Sequence, residues 1–314
     1  MNYKMINIHS KIFLAGHNGL VGSAILRKLK KKNYKKIITI SRKKLDLRDQ
    51  NKVFKYLKKI KPRAVIIAAA TVGGIKFNNN YKADFIYDNL SIQNNLIHGS
   101  YLSGVKDLIF LGSSCIYPKF CTQPIKEENL LTGILEKTNE PYAVAKIAGI
   151  KLCESYNSQY KTNYKCLMPS NSYGPNDNYD YDSSHFFASI FRKIYDAKMK
   201  KKKELILWGN GKTKREIIFS DDLADACIYF LKKKTKHSLI NIGTGNDKTI
   251  NEYAKLIMEF FNVKLKIKYI NKSLTGTPRK LLSVSRAKNY GWKSKTDIKK
   301  GLKLTYENFK KVYK

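Results

Sequence analysis

The chain has 314 residues, 43% of them hydrophobic and 27% charged, enough apolar material for a sizeable core, which excludes global disorder. Lys and Arg number 61 against 24 Asp and Glu, a net charge of +37. The excess falls in short runs such as Lys30–Lys32, Lys200–Lys203 and Lys232–Lys234 at expected helix ends and loops, where lysine complements the helix dipole and stays solvated. No nucleic-acid recognition motif accompanies it, so the charge is read as a field that draws in an anionic substrate.

Apolar runs alternate with helical patterns from the start, the signature of βαβ units around a parallel sheet. Lys11–Ala15 reads as the first strand and Leu20–Leu29 as an amphipathic helix. Ile37–Ile40 is the second strand, Gln50–Ile60 the next helix, and Ala64–Ala68 a strand apolar enough to be buried on both faces. A long helix over Asp84–Leu102, a strand over Leu108–Leu111, a helix over Tyr142–Tyr160 and a strand over Tyr164–Met168 follow. Beyond Pro175 the pattern changes: residues 176–184 are polar and turn-rich, Leu205–Trp208 and Glu216–Phe219 read as short strands, and Asp221–Leu231, Asn251–Phe261 and Asp297–Tyr313 as helices.

The expected fold is therefore α/β, a Rossmann-type doubly wound parallel sheet over residues 1–175, with a smaller mixed α/β lobe over 176–314 that carries most of the substrate contacts. A strand near 238–243 is expected to return to the large sheet. The five cysteines lack CxxC spacing, which argues against a disulfide framework and zinc and for a reducing cytoplasm. No apolar run approaches the roughly 20 residues of a membrane span, so no membrane partner is expected.

Three clusters carry chemistry. Directly after the first strand comes Gly16-His17-Asn18-Gly19-Leu20-Val21-Gly22, a GxxGxxG that opens a helix. Its glycines permit a tight turn and close approach of backbone to a pyrophosphate lying on the helix N-terminus. After the second strand, Arg42 stands where an acidic ribose ligand is usual, which suits a 2′-phosphate and hence NADPH, unless it is one more surface cation of a Lys-rich chain. Asp46 is placed for the adenine side, and the small residues around Ala69 leave room for the cofactor to lie flat. The third cluster combines Ser113 and Ser114 at the end of the fourth strand with Tyr142 and Lys146. The latter two lie at i and i+4, on one helical face, where an ammonium can lower the phenol's pKa and hold a ribose.

With these motifs in this order the chain resembles the extended short-chain dehydrogenases/reductases. Within them it is similar to the enzymes that epimerise GDP-4-keto-6-deoxy-D-mannose at C3 and C5 and reduce it at C4 with NADPH, giving GDP-L-fucose. The similarity runs from Gly16 to about Trp292 and includes Leu111–Lys119, Asn139–Gly149 and Gly276–Leu282. It implies Ser113, Tyr142 and Lys146 as the reductase triad, and Cys115 and His185 as the epimerisation base and acid. It adds Pro169 and His185 to the cofactor contacts, places Asn171, Trp208, Arg215 and Lys280 at the nucleotide end of the substrate, and implies a homodimer through the helices Asp84–Leu102 and Tyr142–Tyr160.

Residue chemistry agrees. Protons at C3 and C5 are both α to the C4 carbonyl, and inversion needs a base on one face of the ring and an acid on the other, roles that Cys and His fill near neutrality. Read without the resemblance, Cys115 serves equally as a buried strand-end thiol, His185 as a loop histidine and Trp208 as core. Two features depart from the family pattern: Asn18 stands where many members carry Arg in the glycine loop, and residues 176–182 are unusually acidic.

Overall fold

The computed structural model describes residues 5–270 and 276–313. The strand β1 (Ile12–Ala15) leads into α1 (Leu20–Lys31), followed by β2 (Ile37–Ile38), α2 (Gln50–Ile60), β3 (Ala64–Ile67), a short α3 (Ile75–Asn80), α4 (Lys82–Leu102), β4 (Asp107–Leu111), α5 (Glu140–Tyr160) and β5 (Asn163–Pro169). The chain continues through β6 (Asn171–Tyr173), α6 (Phe186–Met199), β7 (Glu204–Trp208), β8 (Lys214–Phe219), α7 (Ser220–Lys232) and β9 (Leu239–Ile242). It closes with β10 (Asp247–Thr249), α8 (Ile250–Phe260), β11 (Lys266–Ile270), β12 (Arg279–Lys280), α9 (Ser285–Asn289) and α10 (Ile298–Val312).

Six parallel strands form the main sheet in the order β2-β1-β3-β4-β5-β9. β1, β3 and β4 are fully buried, because helices cover both faces. α1 and α7 pack together on one face, over a core that includes Ile12, Leu14, Ile66 and Leu223. α2, α4 and α5 cover the other, over Phe13, Val65, Leu96, Phe110 and Ile150. The strand order reverses between β1 and β3, and it is at such a switch point, outside the carboxyl ends of the strands, that an open α/β sheet leaves a crevice.

A second core of Tyr173, Phe187, Phe191, Tyr253 and Phe309 belongs to the small lobe. There β8 pairs with β6, β10 and β12, and β7 pairs with β11. β9 returns to the edge of the main sheet beside β5. Its Asn241 accepts from the Tyr117 hydroxyl and donates to the Ile125 carbonyl at 3.0 Å, fastening the segment that follows β4.

Short elements such as α3, β6, β10, β11, β12 and α9 are absent from the sequence reading, and two further differences bear on the site. β2 is an edge strand paired to β1 through only Ile37 and Ile38, and beyond Thr39 the chain leaves the sheet and lines the crevice with Ile40 and Arg42. α6 is absent from the sequence reading although Phe187, Ile190, Phe191, Ile194 and Ala197, all buried, recur at helical spacing.

Candidate active site

A single cavity of about 1330 Å³ runs from the switch point into the small lobe, and every residue singled out from the sequence lines it. At the sheet end the glycine loop is shaped by contact. Gly16 has φ +88°, and a Cβ there would lie 2.5 Å from the Ala69 nitrogen, while one on Gly22 would lie 1.9 Å from the Gly16 carbonyl oxygen. Gly19 is the N-cap of α1 without a side-chain cap, and the first turn holds no acidic residue, so the amides at Leu20 and Val21 are presented uncapped. That cradle fits a dinucleotide diphosphate, and Asn18 lies in its wall.

Where the sequence places the adenine side, Arg42 and Asp46 line the cavity with Arg48, a residue absent from the sequence reading. The Arg48 guanidinium donates to both Asp46 oxygens, at 2.7 and 3.1 Å, and reaches Asp88 at 3.0 Å. Hydrogen bonding from Arg48 pulls the Asp46 carboxyl down to about 2. In so Lys-rich a chain one more cation carries little signal, and only the fold brings Asp88 across to Arg48.

At the centre, Ser113 leaves β4 and caps a single 3₁₀ turn, its hydroxyl accepting from the Cys115 amide at 3.2 Å. Tyr142 lies in the first turn of α5 and lines the same cavity wall as Ser113. Lys146 is one turn further on and 3% exposed. Its ammonium donates to the Leu111 carbonyl at 3.0 Å and lies 4.7 Å above the Phe110 ring. Burial pulls Lys146 down to about 7. Burial also raises the Tyr142 phenol, and the nearby Ser113 hydroxyl offsets this only in part. The sequence reading has the ammonium lowering the phenol. Desolvation wins instead and keeps Tyr142 protonated, as a proton donor must be.

Cys115 follows directly. Its sulfur accepts from the Asn139 amide at 3.3 Å and from the Lys280 ammonium at 3.4 Å. His185 is the residue before α6 and is pulled down by burial. It follows Ser183 and Ser184, against which the segment after β3 closes: the Gly74 amide donates to the Ser183 carbonyl at 3.1 Å. That segment is pinned from below, since Asn89 donates to the Thr71 carbonyl at 2.9 Å and Asn78 to the Gly73 carbonyl at 2.7 Å.

The small lobe supplies the far end. Asn171 stands on β6, Trp208 at the end of β7 and Arg215 on β8. Arg215 is 9% exposed and donates to the Lys214 and Thr277 carbonyls at 2.8 and 2.7 Å, and burial pulls it down to about 10. Trp208 is 43% exposed, so it is no core residue, and the Lys193 ammonium sits 5.9 Å from its ring. Lys193 also lines the cavity. The helical spacing of α6 was the signal that would have found it. Lys280 neighbours Arg215 across the β12–β8 ladder, yet its ammonium lies at the Cys115 sulfur, nearer the reaction centre than the sequence reading has it.

Fold and site together define a nucleotide-dependent oxidoreductase of the extended short-chain type with additional proton-transfer groups. The family model described as the NAD dependent epimerase/dehydratase family matches residues 12–243. A GDP-L-fucose synthase of Sinorhizobium fredii is 48% identical over 299 residues, 95% of each chain. The crystal structure of a GDP-6-OMe-4-keto-L-xylo-heptose reductase from C. jejuni superposes with a TM-score of 0.92 at 35% identity, over 98% of this chain and 100% of that one. A GDP-L-fucose synthetase from Naegleria fowleri, bound to NADP, superposes with a TM-score of 0.89 at 27% identity, over 99% and 95%. The chain belongs to the NAD dependent epimerase/dehydratase family, in its GDP-L-fucose synthase branch.

Proposed function

We propose that the protein converts GDP-4-keto-6-deoxy-D-mannose to GDP-L-fucose with NADPH. The observation that carries this reading is that a Ser–Tyr–Lys set and a Cys–His pair line one cavity with a dinucleotide cradle at one end and Trp208, Arg215 and Lys193 at the other. NADPH, when bound, supplies a hydride to C4. The cradle of Gly16, Gly19 and Gly22 holds its diphosphate, Arg42 and Arg48 serve the 2′-phosphate, and Ala69 and Pro169 wall the groove. Lys146 holds the ribose.

On the substrate, Arg215 engages the diphosphate and Trp208 offers a stacking face to the nucleotide, with Asn171 beside them. The C4 oxygen lies between the Ser113 hydroxyl and the Tyr142 phenol, and Ser114 lines the same wall. Polarised there, the carbonyl acidifies C3 and C5. Cys115 removes each proton in turn, and His185 returns one on the opposite ring face. Tyr142 then protonates the C4 oxygen as reduction completes. A homodimer through the outer faces of α4 and α5, where Tyr87, Leu102 and Val144 are exposed, working in a reducing cytoplasm, completes the reading.

The closeness of the C. jejuni heptose reductase favours one alternative, a sister enzyme acting on another GDP-keto-sugar. Incubation with GDP-4-keto-6-deoxy-D-mannose and NADPH, followed by identification of the sugar, decides. GDP-L-fucose supports the proposal, and no turnover of this substrate overturns it.

A further inference from the structure

Two donors from separate elements converge on one sulfur. Asn139, the N-cap residue of α5, makes no capping bond with its side chain and instead aims its amide at Cys115. Lys280 comes from the small lobe, on a strand held at several points. The Leu282 amide donates to the buried Glu216 carboxylate at 2.9 Å, the Leu281 amide to Gln123 at 2.9 Å, and the Leu281 carbonyl accepts from Ile125 at 2.7 Å. The ammonium is therefore presented to the thiol by a pinned backbone. Other titratable groups that line this part of the cavity are Arg215 from β8 and Tyr142 from α5. Further out, Glu136 acts on Arg215 and Cys121 feels Lys280.

We infer that Lys280 and Asn139 are positioning residues for Cys115, which hold its sulfur as the thiolate that proton abstraction at C3 and C5 requires. A thiol is a base only when ionised, and a neighbouring ammonium and a neutral N–H donor both favour the anion over the thiol. In each abstraction the C–H electron pair passes into the enolate, the thiolate becomes a thiol, and that proton is later lost to solvent, so the cycle needs no co-reactant. The inference rests on the proposed epimerisation for its purpose, while its physical content is a property of the substrate-free protein.

The test is alkylation of the full-length protein by iodoacetamide as a function of pH, without sugar or cofactor, with Cys115 followed separately from the other cysteines by peptide mass. In Lys280→Gln the Cys115 alkylation curve should move to higher pH, with the rate at pH 7 down about tenfold, and Lys280→Arg should restore most of it. Asn139→Ala should shift the curve the same way by less. A lysine that only binds diphosphate raises KM and leaves the curve in place. Superimposable curves for wild type, Lys280→Gln and Lys280→Arg, in proteins of equal Tm, overturn the inference. Failure of the wild type to turn over the GDP-sugar instead rejects the proposed function and leaves the alkylation result readable.

Discussion

The Gly74 amide donates to the Ser183 carbonyl, two residues before His185, and so joins the segment after β3 to the loop that carries the proposed acid. A Cβ on Gly74 would lie 2.7 Å from the Ser184 carbonyl oxygen, a backbone atom with little freedom to yield. Gly74→Ala should therefore displace His185 while leaving Ser113 and Tyr142 in place. A displacement of an ångström costs on the order of 100-fold in rate. Solvent-deuterium incorporation at C3 and C5 should fall by about that factor, and NADPH oxidation by much less; equal losses in both would reject the positioning role.

Lys146 makes cofactor binding pH-dependent. In the folded protein burial holds it at about 7, against an ordinary lysine value of 10.5. Between these the folded chain binds fewer protons than the unfolded chain, so this residue's contribution to stability rises with pH through that window. An anionic cofactor favours the ammonium and raises the value again. NADPH binding at pH 8 should thus take up roughly one proton, read as a dependence of calorimetric enthalpy on buffer ionisation, and Lys146→Met should abolish it. Identical enthalpies in phosphate and Tris would contradict this.

In the proposed reaction cofactor choice rests on Arg42 and on Arg48, the latter fixed between Asp46 and Asp88. With Asn18 in the glycine loop, the preference for NADPH over NADH should be moderate. Each lost charge-assisted contact is worth ~2 kcal/mol, so Arg42→Ala should lower the ratio of kcat/KM values about 30-fold. Arg48→Ala should lower it by less, because part of that guanidinium's charge is already met by carboxylates. An unchanged ratio in Arg42→Ala would remove the residue from the 2′-phosphate site.

Much of this was legible in the chain. The glycine loop announced itself because a tight turn, close approach to Ala69 and a following helix are all written within seven residues. β3 and the Leu108–Leu111 stretch of β4 were legible because a strand segment covered on both faces is apolar. Asn139, Arg48 and Lys193 were not, since their significance lies in contacts made by tertiary packing and their residue types are common in this sequence. The position of Lys280 could not be read either: the family resemblance put it at the nucleotide end of the substrate, and only side-chain packing brings it to Cys115.

Tyr142→Phe separates the two half-reactions. In the proposed mechanism the phenol, which burial keeps protonated, supplies the final proton to the C4 oxygen, and in the variant Ser113 alone remains to polarise the carbonyl. NADPH oxidation should drop by at least ~100-fold, within the range for loss of a general acid, while exchange at C3 and C5 persists. Oxidation at the wild-type rate would show that the proton comes from elsewhere.

Whether one site both inverts and reduces is decided with the wild-type protein in deuterated water. GDP-4-keto-6-deoxy-D-mannose and NADPH are supplied and the product is resolved by NMR and mass. GDP-L-fucose carrying solvent deuterium at both C3 and C5 is the expected product. A C4-reduced GDP-6-deoxy sugar that retains the original configuration and protium at both carbons would contradict a site that does both.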